Sequence, residues 1–316
     1  MAVLPPKGLI GALVTPLDDG NNIDQPSLIS LLDYTADKLH GVLIGAGDIG
    51  EGLVLKNKKR IELIKAGMEA VREKLPLFLS ITGNTEDETA ENILYVERTK
   101  KELNYKGDIF LLDCPLCYHS NMGLPDLYIE FGKITPLPLV LYNNPCIISR
   151  LQKHLNRKNI RTNVLKKLSK NGQIMGICHV GKLKRAVNYA RAVRERRNFR
   201  VYDGNELDFL SMPSLGGVVA QGANLLPEQW RLIVESSINP KEAFKEEGRS
   251  FSQLWSTGQG LKSFNKAYIQ NPVAIIKFAL KLMGKIKSCN VAENTSTITQ
   301  KQKTEICNLL EDYQLI

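Results

Sequence analysis

Eight short apolar runs punctuate the chain, each closed by turn-forming or small polar residues: LIGALVTP (9–16), GVLIGAG (41–47), PLFLSITG (76–83), DIFLLDCP (108–115), LPLVLYNNP (137–145), QIMGICHV (173–180), FRVYDGN (199–205) and GGVVAQGAN (216–224). They are continuous rather than alternating, the pattern of strands covered on both faces, as in a parallel sheet flanked by helices. Segments 26–40, 56–74 and 86–103, which separate the first four runs, carry apolar residues at three- and four-residue intervals and predict amphipathic helices. Eight strand-then-helix units within about 230 residues predict a closed (β/α)8 TIM barrel, whose usual size is ~250 residues. An open doubly wound sheet is the alternative, but eight strands with such regular crossovers more often close.

After Pro227 the pattern is helical only. EQWRLIVES, KEAFKEEGRSFSQLWSTGQGLKSF, NPVAIIKFALKLMGK and TQKQKTEICNLLEDYQ predict the last barrel helix and a helical C-terminal extension, with 288–299 as a loop holding the surface residue Cys289. The expected organisation is one structural unit. Residues 1–226 carry the barrel strands and most barrel helices, and 227–316 the last barrel helix and the C-terminal helical region.

In such a barrel, chemistry sits at the C-terminal ends of the strands. That directs attention to GAGDIGE (45–51), DCPLCYH (113–119), YNNPC (142–146), CHV (178–180), YDGNE (202–206) and QGAN (221–224). Among these strand-end residues are Gly47, Asp48, Ile49, Gly204 and Asn205, and in a barrel Tyr142 and Cys178 set a phenol and a thiol toward one pocket from adjacent strands. Cys117, Cys146 and Cys178, with His119 and His179, also fall at neighbouring strand ends, where thiolate and imidazole could hold zinc. Their spacing matches no zinc motif, and the pair Cys114 and Cys117 lies at a strand end rather than at the helix N-terminus that lowers a redox thiol's pKa. Small buried side chains are the better reading, so neither a metal nor a cofactor is expected.

Composition changes this picture little. A chain of 316 residues with 43% hydrophobic and 24% charged residues is of ordinary globular type. Its six cysteines are scattered, the N-terminal stretch lacks the pattern of a signal peptide, and no apolar run approaches membrane-spanning length. A cytoplasmic protein with reduced thiols and no membrane partner is expected. The net charge of +9 is concentrated in one helix-like stretch holding Lys182, Lys184, Arg185, Arg191, Arg194, Arg196, Arg197 and Arg200. Without interleaved aromatics to stack on bases, that stretch reads as a solvated helix face and not as a nucleic-acid site.

The strand ends, in this order, resemble the dihydrodipicolinate synthase and N-acetylneuraminate lyase family. GALVTPLDDGNNID (11–24) is similar to the family's opening strand and turn. GAGDIGE stands where the family has Gly-Thr-Thr-Gly-Glu, LYNNP (141–145) where it has Tyr-Asn-x-Pro, GIC (176–178) where it has Gly-Ile-Lys, and ANLLP (223–227) where it has Asn-x-x-Pro. The resemblance implies a lysine on the sixth strand that forms a Schiff base with pyruvate or another 2-oxo acid. Here that position is Cys178. A thiol adding to a ketone gives no protonated nitrogen to withdraw electrons from the neighbouring carbon, so cysteine cannot replace the lysine.

The neighbouring positions differ too. Where the resemblance implies two threonines that bind the substrate carboxylate and relay a proton to a tyrosine, the chain has Asp48 and Ile49. An ionised Asp48 repels a carboxylate at close range, and Ile49 has no hydroxyl. Leu116 and Cys117 stand at the synthases' tyrosine positions, with Tyr118 one residue late, and Ile147 stands at their arginine. Of the catalytic set, Tyr142 alone remains; the resemblance implies Tyr142 with Cys178 as the catalytic pair and Gly47, Asp48, Ile49, Gly204 and Asn205 as the substrate-binding residues.

The resemblance therefore implies a divergent member without Schiff-base aldolase activity, either binding a small metabolite or serving as a structural or regulatory scaffold. The alternative is an active lyase or synthase acting on pyruvate or another 2-oxo acid through a relocated lysine, although Lys182 and Lys184 lie beyond the strand. The partners implied are a small 2-oxo acid or related metabolite and further copies of the chain in a homo-oligomer.

Overall fold

The computed structural model describes residues 3–154, 156–240 and 250–316. All eight expected strands form: β1 (Gly8–Ala12), β2 (Gly41–Ile44), β3 (Leu77–Ser80), β4 (Ile109–Asp113), β5 (Leu139–Asn143), β6 (Ile174–His179), β7 (Arg200–Asp203) and β8 (Gly217–Ala220). They pair in parallel, each with the next in sequence, and β8 returns to β1, closing a barrel. Every residue of β1, β2, β4, β5 and β6 is buried, which is why those runs are apolar without alternation. Inside, Phe78 stacks on Phe110 with centroids 4.9 Å apart, and Tyr202 meets Phe78 edge-on at 6.3 Å. The interior is thus a packed core and not a channel.

The helices around the barrel are α1 (Gln25–Thr35), α2 (Asn57–Val71), α3 (Glu86–Glu102), α4 (Leu124–Ile134), α5 (Pro145–Leu151), α6 (Thr162–Leu168), α7 (Leu183–Val193), α8 (Glu206–Ser211) and α9 (Pro227–Ile238). Their starts follow local chemistry: the Asp24 carboxylate accepts from Ser27 N at 3.1 Å, the Thr85 hydroxyl from Glu88 N at 3.1 Å, and Pro227 opens α9. The β5–β6 connection holds two short helices, and the helix after β7 has only six residues. β7 and β8 share a single registered pair, Asp203 with Val218.

The C-terminal extension supplies α10 (Phe251–Tyr268), α11 (Pro272–Leu282) and α12 (Gln300–Asp312), with 288–299 in irregular structure as expected. The first part of the expected helix over 241–264, KEAFKEEGR, lies outside the described residues. Buried polar contacts join the extension to the barrel. The Lys277 ammonium donates to the Glu51 carboxylate and, at 2.7 Å, to the Asn290 carbonyl, while Ala292 N donates to the other Glu51 oxygen at 2.6 Å. Asn265 and Tyr268 both donate to the Glu206 carboxylate. Among the described residues, no helix is long and apolar enough to cross a membrane.

Candidate functional site

At the C-terminal end of the barrel lies a cavity of about 580 Å³. Of the expected substrate-binding and catalytic residues, Asp48, Ile49, Tyr142, Gly204 and Asn205 line it, as do Cys146 and Ile147, whereas Gly47 and Cys178 do not. Gly47 is buried in the loop that follows β2. In that loop Gly50 is held where a Cβ would come 2.4 Å from the Ala46 nitrogen, so the turn presenting Asp48 requires glycine there.

Asp48 organises the cavity floor. Its Oδ1 accepts from Ile49 N at 2.8 Å, and its Oδ2 accepts from the Tyr142 hydroxyl at 3.0 Å and from Asn144 Nδ2 at 3.1 Å. Asn144 is a helix cap as well: its Oδ1 accepts from Cys146 N and Ile147 N, and Pro145 follows as the first residue of α5. One asparagine thus fixes both the helix after β5 and the carboxylate presented after β2. Asn205 caps α8 in the same manner, through Leu207 N and Asp208 N.

The β5–β6 register sets Tyr142 opposite Cys178, so these residues are neighbours on adjacent strands. Their exposure separates them. Tyr142 reaches the cavity wall, while Cys178 is 0% exposed beneath it. A Cβ on Gly204 would lie 2.5 Å from Val180 Cγ2 and 3.0 Å from Cys178 Sγ, so the β7 end is pressed directly onto the thiol. Burial, then the Asp48 and Asp203 carboxylates, push the Cys178 thiol well above the usual cysteine range. It is a protonated, enclosed thiol, not a poised nucleophile. Burial and Asp48 likewise hold the Tyr142 phenol far above the ordinary tyrosine range.

No lysine lines the cavity among the described residues; Arg150 of α5 is its basic side chain. Lys182, at the N-cap of α7, and Lys184 within it are exposed and take no part in the wall. Lys277 is fully buried and committed to Glu51 and the Asn290 carbonyl. Burial pushes its ammonium below the usual lysine range, and Glu51 opposes that shift.

The other strand-end cysteines and histidines do not converge: among the described residues no three His, Cys, Asp or Glu side chains are placed to hold a metal ion. Cys117 is buried and Cys146 exposed. His179 packs edge-on against Tyr189, and His119 lies 3.5 Å from the Glu86 carboxylate.

Sequence reasoning missed Asn144, Arg150, Glu206 and Asn265, all of them in the cavity wall. Asn144 had a readable signal, since asparagine directly before a proline is a helix-start signature. Glu206 and Asn265 had none, because their pairing depends on how α10 docks.

Several sequence motifs resolve into scaffold. Asn224 of ANLLP accepts from Val14 N at 3.1 Å and donates to the Ala12 carbonyl at 2.8 Å, fastening the β8 end to β1. Asn143 accepts from Ile160 N at 2.8 Å and donates to Asn159 Oδ1 at 2.9 Å, holding the chain between α5 and α6.

Comparison with known proteins covers nearly the whole chain. The 4-hydroxy-tetrahydrodipicolinate synthase of Buchnera aphidicola subsp. Cinara cedri is 26% identical over 317 residues, covering 98% of this chain and 97% of the relative. The enzyme of that name from Ectopseudomonas mendocina is 28% identical over 287 residues, 88% of each. Among solved structures, a dihydrodipicolinate synthase superposes with a TM-score of 0.80 at 19% identity, covering 98% of this chain and 100% of that one. A monomeric dihydrodipicolinate synthase variant superposes at 0.77 with 20% identity, covering 98% and 97%. The barrel, its helical extension and the strand-end motifs therefore have a common source: the dihydrodipicolinate synthetase family model matches residues 5–313, and the chain belongs to that family.

Proposed function

We propose that this chain binds a small metabolite in the cavity at the C-terminal end of the barrel, without Schiff-base chemistry. The observation that carries this reading is the occupancy of the site where the resemblance implies a substrate carboxylate. There the Ile49 N–H and the Tyr142 hydroxyl already donate to the carboxylate of Asp48. A 2-oxo acid would lose those donors and face a fixed negative charge. The absence of lysine from the described cavity wall, and the enclosed thiol of Cys178 at the β6 end, support the same reading.

The test is intact-protein mass after incubation with pyruvate and borohydride, on protein shown by melting to be folded. We expect an unchanged mass. An adduct mapped to any lysine would overturn the reading. It would favour the second one, an active lyase or synthase using a relocated lysine, which the names of the curated relatives support. Lys277 is the desolvated candidate for that role, but freeing it would break the contact with Glu51. If a melting-point screen of small metabolites also finds no ligand, the structural or regulatory scaffold becomes the better description.

Self-association and a cytoplasmic location belong to the same proposal. The resemblance implies further copies of the chain, and Met122 in the loop after β4, 85% exposed, is an apolar side chain that a second copy would cover. The six cysteines are all unpaired, in keeping with a reducing compartment.

A further inference from the structure

Around Asp48 the donors of the cavity are engaged and an acceptor is open. The Ile49 N–H, the Tyr142 hydroxyl and the Asn144 amide all donate to its carboxylate. A carboxylate has about four lone-pair sites. Three are filled here, and the fourth belongs to Oδ1, whose partner among the described residues is Ile49 N. A second open acceptor comes from the helical extension. Asn265 of α10 stands in the same cavity wall and is 1% exposed, and its Oδ1 is buried with no hydrogen-bond partner among the described residues. Its Nδ2 donates to the Glu206 carboxylate at 2.6 Å, which also accepts from Gly222 N at 2.7 Å and from the Tyr268 hydroxyl. Turning the amide over would set oxygen against oxygen, so Oδ1 is fixed away from Glu206. A buried acceptor left unpaired is costly, and a ligand donor would satisfy it. The rest of the wall includes the aliphatic side chains of Leu43, Ile147 and Val219.

Starting from the reading that this cavity binds a small metabolite, we infer that the metabolite is an aliphatic amine carrying a second hydrogen-bond donor, as an amino alcohol does. Its ammonium takes the open site on Asp48, its hydroxyl donates to Asn265 Oδ1, and its carbon chain lies against the aliphatic wall. A carboxylate is the reverse case. Asp48 repels it, and the basic side chain of the cavity, Arg150, is exposed, so water screens its hold. A metal ion fits no better: a hard cation takes six or more oxygens, and among the described residues no three His, Cys, Asp or Glu side chains converge.

The experiment is calorimetric titration of the full chain with 4-aminobutan-1-ol, n-butylamine, butyrate and 4-hydroxybutyrate at matched ionic strength. Both amines are expected to bind saturably, the amino alcohol more tightly, and the two carboxylates not at all. Asp48→Asn should weaken both amines about tenfold or more, because it removes the charge and keeps the shape. Asn265→Leu should remove the amino alcohol's advantage and leave n-butylamine unchanged. Melting temperatures check both variants. If either fails to fold, the comparison on the native chain still decides, since it needs no substitution. Carboxylates that bind the native chain as tightly as the amines, amines indifferent to Asp48→Asn, or two amines that bind equally would overturn the inference and leave metabolite binding standing. None of the four compounds binding would overturn it as well. Metabolite binding itself falls only if the broader melting-point screen finds no ligand or a lysine adduct forms with pyruvate.

Discussion

Asp48 accepts three hydrogen bonds from groups on two different strand-end loops, so its removal leaves a definite deficit. Asp48→Ala leaves the Ile49 N–H, the Tyr142 hydroxyl and the Asn144 amide without their acceptor, at an expected cost of about 1–3 kcal/mol. The vacated space has the donors of a carboxylate site. Acetate at millimolar concentration should therefore raise the melting temperature of the variant and leave the native protein unmoved. A native chain stabilised by acetate to the same extent would show that Asp48 does not fill that site. Asp203 gives a pH test of a different kind. Burial pushes its carboxyl up to about 6, although Ser214 N donates to it at 2.9 Å. A carboxyl raised on folding contributes stability that is full at low pH and is lost as pH rises through that value. Asp203→Asn should accordingly be more stable than the native chain at pH 8 by about 2 kcal/mol, an advantage that vanishes near pH 4. Urea melts at the two pH values measure the difference.

At the scale of elements, the best-read features were those whose cause is local. Each apolar run became a strand because both faces of a barrel strand are covered, a condition that composition alone can reveal. The loop over 288–299 was legible for the opposite reason, having neither period. What could not be read was docking. Glu51 and Lys277 lie 226 positions apart, and nothing near either one announces the other. Tyr142 and Cys178 were rightly set on adjacent strands, yet that Cys178 is enclosed follows from the approach of Gly204, a close contact with no signature in the sequence. The Glu51 contact has its own consequence. Glu51 holds a left-handed backbone conformation, φ 56°, which costs a non-glycine residue about 1–3 kcal/mol and persists because Lys277 and Ala292 N fix the side chain. Lys277→Ala strands a buried carboxylate and should cost about 3–5 kcal/mol, whereas Lys277→Met combined with Glu51→Gln should cost less. A double variant no better than Lys277→Ala, by denaturant unfolding, would contradict this account.

For the whole molecule, we propose that 1–226 and 227–316 fold as one unit, since Glu51 and Glu206 of the barrel side are satisfied from α10, α11 and the loop after α11. A chain ending at residue 226 should fail to give a cooperative melt, while the full chain gives one transition by circular dichroism. A melt of the shorter chain that keeps the full chain's cooperativity would refute the proposal. Within that unit the barrel is not equally tight all round. Neighbouring strands elsewhere are registered over three to five pairs, but β7 and β8 meet at one. A ring opens first at its weakest seam, so the amides of β7 and β8 should exchange with solvent ahead of the other strands. That seam lies beside the groove between α7 and the turn 212–216, so the barrel is a ring with one loose link, and β7 and β8 amides that exchange ahead of the rest are its mark.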